Sequence, residues 1–117
     1  MKQLRNYWNE RSCKKIFCST LFTLVSANLY AETYYIDVRT AEEYAGDHID
    51  NAINIEHSKI IEGINENNIN KDDTIYVYCR SGKRAEFAKQ MLEKAGFTKV
   101  TNLGGIEQAK TFIEKNK

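Results

Sequence analysis

The chain has 117 residues and a formal net charge of +1, from 17 Lys+Arg against 16 Asp+Glu. Its apolar fraction of 42 % and charged fraction of 28 % exclude general disorder. The balanced charge gives no reason to expect a nucleic-acid partner. Three cysteines are too few for a disulfide-dense scaffold, and no His/Cys spacing predicts a metal site. One domain of ordinary size is expected.

The first 31 residues differ in composition from the rest of the chain. They contain five basic residues and one acidic residue. An uncharged, mostly apolar run over residues 16–31 follows the basic pair Lys14-Lys15. A basic region, an apolar region and a small residue, in that order, are typical of a secretory signal peptide. The apolar run has 16 residues, whereas a membrane-spanning helix needs about 20.

The expected cut in this segment follows Ala31, because strand-like sequence begins at Thr33; Ala27 is a second possible site. Residues 1–31 are therefore predicted to be a cleaved signal peptide, and residues 32–117 the working domain, located in the periplasm. Two alternatives are an uncleaved anchor and a segment that belongs to the fold. Once cleaved, the domain is expected to have no stable membrane association.

β-branched and aromatic runs alternate with helical patterns through the predicted domain. The predicted strands are 33–38, 52–55, 74–78 and 100–103. The first two predicted helices start after Thr40, with a capping box to Glu43, and after Ser58 as the cap. The third runs from about Lys83 to Ala95 with Gly96 as its stop, and the last starts at Ile106 after a predicted turn at Gly104-Gly105. This alternation predicts an α/β fold, with a mostly parallel sheet of about four to five strands and helices on both faces. The run 74–78 is apolar enough to be a central strand.

The candidate site follows that central strand, where parallel sheets bind ligands. Cys79 is the only cysteine of residues 32–117, and the polar, basic sequence Arg80-Ser81-Gly82-Lys83-Arg84 leads from it into a helix. Gly82 is expected to let the loop curl so that its amides converge. Converging amides at a helix start, together with nearby cations, favour the thiolate, which is the nucleophilic form. The alternative is a buried structural cysteine, but so polar a continuation favours a reactive site.

The sequence Cys79–Arg84 resembles the active-site loop of the rhodanese-domain sulfurtransferases. Further matches follow in order along the chain, at Asp37-Val38-Arg39, Glu43-Tyr44, His48-Ile49, Ala52–Ile55, Tyr76–Cys79 and Leu103–Gly105. A signal directly before the Asp-Val-Arg strand also resembles the small periplasmic members. The chain departs from the family pattern at Asp47 and Asn51, where glycine is usual, and at Glu56, where proline is common.

The resemblance implies a single rhodanese-like domain with a two-step sulfur transfer. Cys79 would take sulfur from an anionic donor such as thiosulfate, become a persulfide, and pass the sulfur to a thiophilic acceptor such as cyanide or a thiol. The implied substrate-binding residues are Arg80, Ser81, Gly82, Lys83 and Arg84, with Arg84 the first choice for anchoring both the loop and the anion. No metal or organic cofactor is implied, and the expected state is a monomer or weak dimer.

Two other functions stay open at this point. Cysteine phosphatases and arsenate reductases also use a loop from Cys to Arg, but with five intervening residues, whereas four separate Cys79 from Arg84. The other is a non-catalytic binding module, although such copies generally lose the cysteine. Outside the loop, Asp37 and Arg39 are expected to form a structural ion pair and His48 to be structural.

Two further side chains have simple expected positions. His57 is expected to be solvated. Phe87, beside the apolar stripe of the helix that starts near Lys83, is expected to be a core residue.

Overall fold

The computed structural model describes residues 31–117, in which short strands and helices alternate. In chain order the elements are β1 (Thr33–Asp37), α1 (Ala41–Gly46), β2 (Ile53–Asn54), a 3-10 turn (His57–Lys59), α2 (Ile60–Glu66), β3 (Thr74–Cys79), α3 (Lys83–Lys94), β4 (Val100–Gly105) and α4 (Ile106–Lys115). None of the helices in this range is long and apolar enough to cross a membrane. The predicted signal peptide lies outside the described residues except for Ala31, and it stays a prediction.

The four strands form one parallel sheet in the order β2-β1-β3-β4. β1 and β3 pair in register from Thr33 with Thr74 to Asp37 with Tyr78. The most apolar strand therefore lies between β1 and β4, as its composition predicts. The predicted α/β fold and parallel sheet are confirmed.

Alternate side chains of β3 belong to two separate cores. Ile75, Val77 and Cys79 pack with buried residues of α2 and α3. Tyr78 points to the other face, where the second core includes side chains of α1 and α4. Helices thus cover both faces of the sheet, and the Cys79 side chain lies on the same face as α3.

Several local predictions are confirmed by the backbone. Thr40 and Glu43 form the predicted capping box at the start of α1. Gly96 follows α3 with φ of 105°, the left-handed conformation that commonly ends helices at glycine. Asn51 also has a positive φ, of 70°. Asparagine tolerates this region better than most residues, which explains why it can stand where glycine is usual.

Other local predictions are wrong. Ser58 does not cap a helix, because it lies in the 3-10 turn, and α2 begins at Ile60 without a side-chain cap. Gly104 and Gly105 were expected to form a turn, but they are the last residues of β4, beyond an irregularity in its register with β3. Phe87 is not a core residue, since 48 % of its surface is exposed.

Candidate active site

The loop after β3 curls back towards the sulfur of Cys79. Cys79 is the last residue of the strand, and the Gly82 N–H donates a hydrogen bond to its Sγ at 2.9 Å. Gly82 has φ of 100° and caps α3, a conformation that costs glycine little and other residues much more. The glycine predicted to let the loop curl thus provides a main-chain donor to the thiol.

Cys79 is completely buried, whereas Arg80, Ser81 and Lys83 are exposed. Burial agrees with the alternative of a structural cysteine, but the amide donor on the sulfur agrees with a reactive site. One side of the sulfur faces the Gly82 amide, and Cys79 also belongs to the core cluster that includes residues of α2 and α3. Since Cys79 is 0 % exposed, a substrate reaches Sγ only after some of the surrounding residues move.

The end of β4 contacts the loop that follows Cys79 and supports its conformation. Asn102 Nδ2 donates a hydrogen bond to the Gly82 carbonyl at 3.0 Å, and Asn102 Oδ1 accepts one from the Gly104 N–H at 2.8 Å. A Cβ placed on Gly105 would lie 2.5 Å from the Arg80 carbonyl oxygen. The absence of a side chain at Gly105 therefore allows the loop to lie against the sheet.

Arg84 makes a two-pronged contact with Glu43 of α1. Its Nη1 and Nη2 donate to Oε1 and Oε2 at 2.8 and 3.1 Å. This hydrogen bonding lowers the pKa of Glu43 to about 2 and raises the pKa of Arg84. The Thr40 N–H also donates to Glu43 Oε1, at 3.1 Å, so the α1 cap positions the carboxylate. Arg84 thus anchors the end of the loop to α1, and Glu43 offsets much of its charge.

The Asp37–Arg39 pair is a buried structural unit, as expected. Arg39 Nε donates to Asp37 Oδ1 at 2.9 Å, and Arg39 Nη2 donates to Oδ2 at 2.6 Å. The Asp37 side chain is 0 % exposed and that of Arg39 8 %. Arg39 Nη2 also donates to the Asp47 carbonyl at 2.6 Å. These bonds tie the end of β1 to the segment after α1.

Neither His48 nor His57 makes a contact with Cys79 or its loop that would support a catalytic role. His48 stacks on Tyr44, with ring centroids 3.7 Å apart, and its Nδ1 lies 2.7 Å from the Tyr44 carbonyl oxygen. The expectation that His57 is solvated holds only in part: the residue is partly exposed, but its Nδ1 is shielded from solvent and has no hydrogen-bond partner among residues 31–117. The ring of His57 meets Phe87 edge-on, at a centroid distance of 5.7 Å.

Of the predicted set, Gly82 contacts the sulfur of Cys79 and Arg84 pairs with Glu43, while Arg80, Ser81 and Lys83 are exposed. Two supporting residues were missed. Glu43 was recognised only as a capping residue and family match, and Asn102 only as a strand residue. In the described part of the chain, no group of three or more His, Cys, Asp or Glu side chains is placed to hold a metal ion.

Comparison with known proteins agrees with this fold. Thiosulfate sulfurtransferase PspE of Escherichia coli (strain K12) is 37 % identical over 87 residues, which are 74 % of this chain and 84 % of PspE. The putative sulfur carrier protein YrkF of Bacillus subtilis (strain 168) is 40 % identical over 68 residues, 58 % of this chain but only 36 % of YrkF. A solved structure described as a rhodanese with anions from E. coli aligns with a TM-score of 0.62 and 38 % identity, covering 65 % of this chain and 89 % of that one. Residues 23–111 match the model of the Rhodanese-like domain, and the chain belongs to this family.

Proposed function

We propose that the protein is a sulfurtransferase that carries sulfane sulfur on Cys79. The observation that carries the proposal is the 2.9 Å hydrogen bond from the Gly82 amide to Cys79 Sγ, at the start of α3. A sulfur anion at this position is stabilised by a main-chain donor and by the positive end of the helix dipole. The likeness to a named thiosulfate sulfurtransferase supports the same chemistry.

In the first step the Cys79 thiolate attacks the outer sulfur of an anionic donor such as thiosulfate. The new S–S bond forms as the donor's S–S bond breaks, and sulfite leaves with the bonding electron pair. In the second step a thiophile such as cyanide attacks the outer persulfide sulfur, forms thiocyanate and regenerates the Cys79 thiolate. Each step exchanges one bond to sulfur for another, so no oxidant, reductant or metal is needed.

The cationic side chains of the loop divide into two roles. Arg80 and Lys83 are exposed, and the salt bridges found within residues 31–117 involve neither of them. They attract the donor anion to the mouth of the site. Arg84 is paired with Glu43, so its main task is to hold the loop in the conformation that directs amides at the sulfur.

Because Cys79 is completely buried, turnover includes an opening of the loop over residues 80–83. Arg80 and Ser81 lie in solvent, so the front of the loop can move without breaking either core. Asn102 holds the loop at Gly82 through its hydrogen bond to the Gly82 carbonyl. We expect the physiological donor and acceptor to be a small sulfur anion and a thiophile, and the predicted signal peptide supports a periplasmic location for this chemistry.

The test is the formation of thiocyanate from thiosulfate and cyanide, with p-nitrophenyl phosphate as the competing substrate. We expect turnover on thiosulfate, loss of that turnover in Cys79→Ser, and no phosphate release. The matched control is Ser58→Ala, which changes an exposed serine of the 3-10 turn outside the loop and should still form thiocyanate. Turnover on the phosphate ester with none on thiosulfate would replace this proposal with a phosphatase. Thiocyanate formation that survives Cys79→Ser would exclude the persulfide mechanism.

A further inference from the structure

Asp73 is a buried carboxylate whose hydrogen-bond partners are main-chain amides. It is 2 % exposed and lies just before β3. Its Oδ1 accepts the Glu32 N–H at 2.9 Å, and its Oδ2 accepts the Asn70 N–H at 2.8 Å. Buried charges in proteins are normally paired with an opposite charge. Within residues 31–117, however, the salt bridges do not include Asp73.

Glu32 is the residue at which the chain enters the domain. Its N–H is bound by Asp73, and its carbonyl accepts the Thr74 N–H at 2.9 Å. The compact unit of the domain runs from Glu32 to Lys117. Ala31 is exposed. The peptide bond between Ala31 and Glu32 is therefore the last one before the fold, and its nitrogen is the atom that the buried carboxylate holds.

We propose that export processing hydrolyses the Ala31–Glu32 bond and that the new α-ammonium group of Glu32 forms a partly buried ion pair with Asp73. Water supplies the atoms: the hydroxyl goes to the Ala31 carbonyl, and the nitrogen of Glu32 gains a proton. An α-amino group has an ordinary pKa of about 7.7–8.0, so a second proton makes it cationic at neutral pH. The Asp73 carboxylate thereby gains a charged partner at a position where it already accepts a neutral donor.

This ion pair distinguishes the two predicted cleavage sites. A cut after Ala31 converts the nitrogen held by Asp73 into a cation. A cut after Ala27 leaves the Glu32 nitrogen as a neutral amide and places the new charge at Asn28. Only the first cut lets processing stabilise the domain through Asp73. The inference concerns maturation and does not depend on the proposed sulfur chemistry.

The first experiment identifies the mature N-terminus. The full chain, with its own first 31 residues, is expressed in Escherichia coli, and the exported protein is analysed by N-terminal sequencing and intact mass. We expect a sequence that begins Glu32-Thr33-Tyr34. A sequence that begins at Asn28, or a product that keeps residues 1–31, would overturn the proposal.

The second experiment measures what the cut does to stability. The thermal midpoint of the processed protein is compared with that of the uncut chain made by cell-free translation without membranes. We expect processing to raise the midpoint by about 4–8 °C, the range for one moderate interaction in a domain of 60–100 residues. In Asp73→Asn the gain should fall below half of this value. In Asp72→Asn, which removes the same charge from an exposed neighbour, the gain should persist. An equal gain in all three proteins would contradict the ion pair.

A third measurement keeps the proposal testable if Asp73→Asn does not fold. The α-amine of the processed protein is acylated at neutral pH, and the extent at Glu32 is followed by peptide mapping. A protonated, paired amine should react at least about tenfold more slowly in the folded protein than in the same protein unfolded in urea. Equal rates would show that Asp73 does not hold the ammonium group.

Discussion

The Arg84 guanidinium binds both oxygens of the Glu43 carboxylate, although the two residues are 41 positions apart in the sequence. The contact joins α1 to the first turn of α3 and so fixes the end of the loop that begins at Cys79. It also means that the cation nearest the end of the loop is already paired before any donor anion arrives. Arg84 therefore affects the reaction in two ways. Its position fixes the end of the loop, and its charge, which is paired with Glu43, acts on the donor anion separately.

Removing Arg84 should reduce sulfur transfer strongly. Arg84→Ala frees the loop end and leaves Glu43 unpaired, so its negative charge repels the donor. We expect kcat/KM for thiosulfate to fall on the order of 10–100-fold. Arg84→Lys should recover only part of the loss, because an ammonium cannot make the two-pronged contact. His48→Ala is the control and should change kcat/KM less than about twofold; equal losses in both would contradict this division of roles.

The same pair predicts a pH dependence of stability. The folded pKa of Glu43 is about 2, lowered from 4.5 chiefly by Arg84. A lowered pKa contributes stability above the unfolded value, and this contribution is lost as pH falls from about 4.5 towards 2. Glu43→Gln keeps an acceptor but removes the charge. In urea unfolding it should cost about 0.5–1 kcal/mol at pH 6, the range for a partly exposed pair, and almost nothing near pH 2. A difference that stays constant across this range would refute the assignment.

Gly105 should be sensitive to the smallest substitution. A methyl group there would lie 2.5 Å from the Arg80 carbonyl oxygen, and the loop would have to move away from the sheet. We expect Gly105→Ala to lower kcat/KM on the order of tenfold or more, because small displacements of a positioned site are costly. Gly46→Ala, where a Cβ meets nothing within 4 Å, should have normal activity. An active Gly105→Ala would show that the loop does not need this support.

Arg39 should contribute to the stability of the fold and not to catalysis. Its partner Asp37 is 0 % exposed, so Arg39→Ala leaves an uncompensated buried carboxylate. The expected loss in free energy of unfolding is about 3–5 kcal/mol. Lys110→Ala, which breaks the exposed pair with Asp47, is the matched control and should have almost no effect. Folded Arg39→Ala at low temperature should keep the kcat of the unsubstituted protein; a selective loss of kcat would give Arg39 a direct role.

The sequence predicts an element correctly where interactions between residues close together in the chain determine it. The capping box of Thr40 and the glycine end of α3 follow from backbone chemistry within a few residues. The apolarity of 74–78 was enough to place β3 inside the sheet. The loop itself was recognisable because Cys79, Gly82 and Arg84 are close together in the sequence.

Contacts between distant segments could not be predicted in this way. Helical spacing placed Phe87 beside the apolar stripe, but the width of the buried face depends on what packs there, and Phe87 is 48 % exposed. Glu43 had a complete local role as a capping residue, so nothing in its surroundings indicated Arg84. The two glycines at the end of β4 are typical of a turn, and the close approach of the Arg80 carbonyl and the Gln108 side chain, which local sequence does not reveal, explains why Gly105 has no side chain.

The most direct test of the account is the intact mass of the protein after brief exposure to thiosulfate and removal of the excess. We expect a gain of about 32 Da, one sulfur atom, that is located on the peptide containing Cys79 and is lost on addition of cyanide. Cys79→Ser should gain no mass. An unchanged mass in the folded, unsubstituted protein, or the same gain in Cys79→Ser, would contradict sulfur transfer through Cys79.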